Sequence, residues 1–153
     1  MPEFTITVQG LDRLQDELSE LPDNLNEAIG RGLLEAASQA VEQIQEEISE
    51  PAMKAAEEYV GSHAYLGSYP GEPPKLRTGT LMRSVRIASV EDDRVTISIG
   101  GAETFAPYAS YLEFGTSWMA PRPFVQPIIE RILPEVGNII LETVNAATQE
   151  TMR

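Results

Sequence analysis

The sequence predicts an α+β fold. Three observations carry the prediction: a long amphipathic helical stretch between residues 24 and 50, an alternating β-hairpin pattern between 81 and 100, and a closing amphipathic helix after residue 124. At 153 residues and 16.8 kDa the chain suits a single domain spanning 1–153. Its 42% of apolar residues is enough to bury a core.

The opening run Phe4 to Val8 (FTITV) is β-branched and alternating, which predicts a short strand. Leu11, Leu14, Leu18 and Leu21 then recur at helical spacing until Pro22. Asp23 can cap the next helix by accepting from a free backbone N–H. That helix, about Asn24 to Glu50, carries Leu25, Ile29, Leu33, Ala37, Ala40, Val41, Ile44 and Ile48 on one stripe. Another face carries Glu35, Glu42, Glu46 and Glu50. Glu42, Glu46 and Glu50 repel one another at i,i+4 by a few tenths of a kcal/mol. A pattern that works against its own helix invites a functional reading, although a solvated face on an acidic protein gives the same pattern. Gly30 and Gly32 in the helix interior are expected either to permit close packing or to mark a bend.

Residues 57–80 change character. Four glycines and three prolines interleave with Tyr59, Tyr65 and Tyr69, and no strand or helix period survives. A flexible Pro/Gly loop over about 58–80 is expected, whose aromatic residues order against a partner. Two strands follow, Leu81 to Val90 and Arg94 to Gly100, in which Val95, Ile97 and Ile99 form a dry face and Thr96 and Ser98 a wet one. Pro107 to Phe114 reads as a short helix closed by Gly115. The last helix carries Ile128, Ile129, Ile132, Leu133, Val136, Ile139, Ile140 and Val144. Pro127 fits its first turn, and Pro134 is expected to kink or restart it.

Charge is distributed unevenly. The net charge is −13 overall. Residues 1–60 hold 14 acids against 3 bases, whereas residues 61–90 hold 1 acid against 4 bases. Those bases, Lys75, Arg77, Arg83 and Arg86, make a local basic patch beside the Pro/Gly segment. A basic patch and an acidic helix on one chain suit head-to-tail pairing of copies, which closes into rings or opens into filaments.

Several function classes are disfavoured. An acidic balance opposes general nucleic-acid binding and docking on anionic membranes. The chain lacks cysteine, so disulfides and thiol chemistry are excluded. MPEFTITV has neither a basic n-region nor a long apolar h-region, so a soluble intracellular protein without a signal peptide is expected. His63 stands alone, and no phosphate-cradling glycine motif occurs. No catalytic, cofactor-binding or metal-ligating set emerges. Glu113, amid Tyr111, Leu112 and Phe114, is expected to pair with a base or to cap backbone N–H groups rather than to act as an acid.

The punctuation forms an ordered set: Tyr69-Pro70-Gly71-Glu72-Pro73-Pro74; Arg77-Thr78-Gly79-Thr80-Leu81; Leu112-Glu113-Phe114-Gly115-Thr116; and Arg122-Pro123-Phe124. In this order the chain resembles the neck, head–tail joining and tail-completion (minor tail) proteins of long-tailed phages and prophages. The resemblance implies a small antiparallel sheet packed against a long helix in the N-terminal half and a C-terminal helix. It also implies a structural virion component without catalysis or cofactor. Such a component forms a homo-oligomeric ring between connector and tail-tube proteins, and is made in the host cytoplasm. Thr78, Gly79, Leu81, Glu113, Phe114, Gly115, Thr116, Arg122, Pro123 and Phe124 would then be structural, with Arg122 pairing with Glu113. Glu35, Glu42, Glu46 and Glu50 would line a channel that repels passing DNA. Tyr59, Tyr65, Tyr69, Lys75, Arg77, Arg83 and Arg86 would meet neighbouring subunits. A different class, an acidic binding module such as a DNA-mimic inhibitor, is the alternative.

Overall fold

The fold is α+β. The computed structural model describes residues 4–7, 23–49, 56–60, 63–76, 78–91, 94–101 and 106–151. In chain order these form β1 (Phe4–Thr7), α1 (Asp23–Ser49), β2 (Ala56–Val60), β3 (His63–Gly67), α2 (Thr80–Ser84), β4 (Arg86–Glu91), β5 (Arg94–Ile99), α3 (Ala109–Phe114) and α4 (Gln126–Thr151). The leucine-spaced segment 11–21 lies outside the described residues. Among the described residues no helix is long and apolar enough to cross a membrane.

A three-stranded antiparallel sheet has the order β1-β5-β4. Phe4 pairs with Ile99 and Thr7 with Thr96 on one side of β5, while Arg86 pairs with Ser98 and Glu91 with Arg94 on the other. The register shifts between Ile87 and Ser89, as a bulge at Ala88 would cause. β5 is the central strand, and its expected wet face is corrected. Val95, Ile97 and Ile99 are buried as predicted, but Ser98 is buried too and Thr96 is half-buried.

The 27-residue α1, about 40 Å long at ~1.5 Å per residue, packs on β4 and β5 and along α4. Ile29, Leu33, Ala37, Ala40, Ile44 and Ile48 are buried. They meet Leu81, Val85, Ile97, Ile99, Phe124, Ile128 and Ile132 in one core. Each large side chain fully buried there stabilises the fold by roughly 1.5–3 kcal/mol. The helix runs through both glycines, and Gly32 serves close packing. A Cβ there would stand 2.5 Å from Thr143 Oγ1 and 2.8 Å from Ile140 Cα.

Three expectations are corrected, and one is narrowed. Residues 56–67 are not structureless: β2 and β3 pair antiparallel from Ala56↔Gly67 to Val60↔His63. The Gly61-Ser62 pair between them is the sequence signal for that hairpin. Residues 80–84 are helical rather than the start of a strand, because Leu81 and Val85, four apart, both reach the core. Of the kink or restart expected at Pro134, the restart does not occur, because α4 runs on as one helix, and Pro134 is exposed, where water can satisfy the freed carbonyl. Leu133 faces outward instead of joining the apolar stripe.

Candidate docking site

The residues of the basic patch and the acidic row lie on different elements, although Gln45 of α1 donates to the Val85 carbonyl, next to Arg86, at 3.0 Å. Glu35, Glu42 and Glu46 are exposed on α1, away from its core face, and Gln39 Nε2 donates to Glu35 Oε1 at 3.1 Å. The side chain of Glu50 lies outside the described residues, as does Arg77. Arg86 is exposed at the head of β4, and Lys75 is half-buried. Arg83 is exposed, and its Nη2 donates to the Thr78 carbonyl at 3.1 Å. Tyr59 and Tyr65 sit on the β2–β3 hairpin opposite Ala64 and Glu58, and their side chains are outside the description. Tyr69 is exposed in a turn where the Glu72 N–H donates to the Tyr69 carbonyl at 3.0 Å.

The Thr78-Gly79-Thr80-Leu81 motif starts α2. Gly79 adopts φ 71°, which favours glycine, and its carbonyl accepts from Arg83 N–H at 3.0 Å. Thr78 Oγ1 lies 2.8 Å from Thr80 Oγ1, while Leu81 is buried. This motif shapes the start of α2 and reaches the shared core through Leu81, whereas the second group assembles at the start of α4.

That second group is built around Glu113, which is only 5% exposed. Its Oε2 accepts from the N–H groups of Phe124 at 2.8 Å and Val125 at 3.1 Å, and its Oε1 accepts from Gln126 at 2.9 Å. These are N–H groups that the start of a helix leaves without intrahelical partners, and the helix dipole favours a carboxylate there. A side chain on α3 thus caps α4. The Glu113 carboxylate is therefore engaged by main chain, and the anticipated Arg122 pairing gives way to another contact. Arg122 is buried, and its Nη1 donates to Ser68 Oγ at 3.5 Å. Burial pulls the Arg122 pKa down from its usual value. Main-chain bonds fasten the rest, with Arg122 N–H donating to the Leu112 carbonyl at 2.7 Å and Gly71 N–H to the Pro121 carbonyl at 3.0 Å.

Between α3 and α4 the chain makes a tight turn. Gly115 sits at φ 74°, and a Cβ there would meet Met119 O at 2.8 Å and Pro121 N at 2.9 Å. Thr116 N–H donates to the Met119 carbonyl at 2.8 Å, and Thr116 Oγ1 accepts from Trp118 and Met119 N–H at 3.2 and 3.1 Å. The turn presents Trp118 at 95% exposure, beside Phe114 at 66%. Tryptophan is enriched among the residues that anchor protein interfaces. Sequence reasoning passed over Trp118, although the sole tryptophan within the turn-forming run Gly115-Thr116-Ser117-Trp118 was a signal for it. Pro123, Phe124, Pro127 and Ile128, with Pro73, Glu47 and Arg131, line a half-open cleft of about 280 Å³.

Neither a curated protein nor a solved structure matches the chain. The family described as "Bacteriophage HK97-gp10, putative tail-component" matches residues 12–115, about two thirds of the length, taking in the acidic helix, both hairpins and the Glu113 helix. The chain belongs to this HK97-gp10-like family of phage tail components.

Proposed function

We propose that the protein joins phage head to tail, as a neck or tail-completion component that assembles in a ring around the DNA channel. It acts by shape and docking, without catalysis. The observation that carries this reading is the exposed acidic row Glu35, Glu42 and Glu46 of α1, on a chain of the tail-component family whose basic-patch residues Arg83 and Arg86 are exposed on α2 and β4. Opposite charges on separate surfaces favour head-to-tail contacts between copies. A ring turning Glu35, Glu42 and Glu46 inward would repel phosphates and keep the duplex mobile. Connector and tail-tube proteins are the further partners, the virion is the final location, and assembly takes place in the host cytoplasm.

The test is subunit placement in purified particles, by cryo-electron microscopy of the head–tail junction. The protein is expected as a closed ring at that junction with α1 facing the lumen. A position elsewhere in the virion, or α1 facing outward, contradicts the reading. Capture of a DNA-handling enzyme instead of connector or tail-tube protein would favour an acidic inhibitor.

A further inference from the structure

We propose that Trp118 of one copy seats in the cleft of a second copy. The cleft is the one bounded by Pro73, Pro123, Phe124, Pro127 and Ile128. The inference rests on the ring assembly proposed above and names its contact.

Trp118 touches little of its own chain, since it is 95% exposed. Its turn is fixed by the bonds across Thr116–Met119, and the following Arg122 N–H is tied to the Leu112 carbonyl. The indole is therefore held out of the cleft of its own chain. At about 280 Å³ the cleft falls below the roughly 300–1,000 Å³ of drug-sized ligand sites, and is suited to a single aromatic side chain. Its lining matches an indole. The proline rings and Ile128 offer apolar walls, the Glu47 carboxylate can accept the indole N–H, and the Arg131 guanidinium can lie over the ring face. Both surfaces are built by the same framework, the Glu113-capped start of α4 and the turn before it. A copy that seats its Trp118 in one neighbour keeps its own cleft for the Trp118 of another, and in the proposed assembly this heterologous contact propagates until a ring closes.

Trp118 is the sole tryptophan, so the intrinsic fluorescence of the full chain reports this contact directly. The experiment measures emission and mass together over a concentration series. In dilute protein the emission is expected to be that of a water-exposed indole, shifting to the blue in step with the rise in mass. Trp118→Ala is expected to weaken association on the order of tenfold or more. Pro127→Glu places a charge in the cleft, and an acid in the first turn of α4 is one that the helix dipole favours. Alone, it is expected to stay dispersed with red emission. Adding the tryptophan-free W118A chain, whose cleft is intact, is expected to shift the P127E emission to the blue and to give one-to-one pairs and nothing larger. Association with unshifted emission overturns this contact while leaving ring assembly by another surface in place. No association and no shift, or no shift on mixing the two variants, overturns the proposed contact. Placement of the protein in the virion is read separately from particles.

Discussion

At the scale of single residues, Glu113 is a buried polar side chain on which the start of α4 depends. Removing it strips three main-chain N–H groups at the start of α4 of their acceptor, two of them in the buried residues Phe124 and Val125. E113A is expected to lower unfolding stability by about 3 kcal/mol, and E113Q by about half that, since the amide keeps one acceptor oxygen. Urea unfolding checks this; a loss below 1 kcal/mol for E113A would mean that water replaces the carboxylate at no cost. Gly115→Ala is expected to cost about 2 kcal/mol or more, because φ 74° is combined with contacts under 3 Å to Met119 and Pro121. Thermal unfolding gives the value. The capping role of Glu113 was legible in the sequence as one of two options, because a carboxylate beside aromatic residues must find donors when buried. The Arg122 contact with Ser68 was not, because it joins residues 54 apart through tertiary packing.

At the scale of elements, the α1–α4 pair depends on the absence of a side chain at Gly32. Gly32→Val is expected to cost roughly 2–4 kcal/mol, combining overpacking against Ile140 and Thr143 with little gain in helix propensity. Thermal denaturation checks it, and unchanged stability would mean that the helices separate freely. The long helices were legible because their apolar residues repeat at 3.6 over many turns, from Leu25 to Ile48 and from Ile128 to Val144. The short elements were harder to read. Leu81 and Val85 fit either period over so few residues, and the core contact decides for helix. In the β2–β3 hairpin, glycines and prolines on either side obscured a pairing that the Gly61-Ser62 turn signal marked. The burial of Ser98 was not legible because alternation along β5 shows which face it shares with Thr96 and not what packs on that face.

At the scale of the whole molecule, the proposed role brings charge and shape into contact with other copies and neighbours. Replacing Glu35, Glu42 and Glu46 together by Lys is expected to leave folding within about 0.5 kcal/mol, since all three are exposed and the like-charge i,i+4 spacing of Glu42 and Glu46 contributes nothing favourable. The same triple variant is expected to lower infectivity severalfold while particles still form, because a lumen made basic would hold the passing duplex. Plaque titre against particle count measures this, and full infectivity would remove the channel-lining role. The most direct test of the central claim, that the protein joins head to tail as a structural part, is electron microscopy of particles from a phage whose copy of this gene is disabled. Filled heads and separate, complete tails are expected, with joined particles restored when the protein is supplied. Joined, infectious virions formed without it would contradict the account.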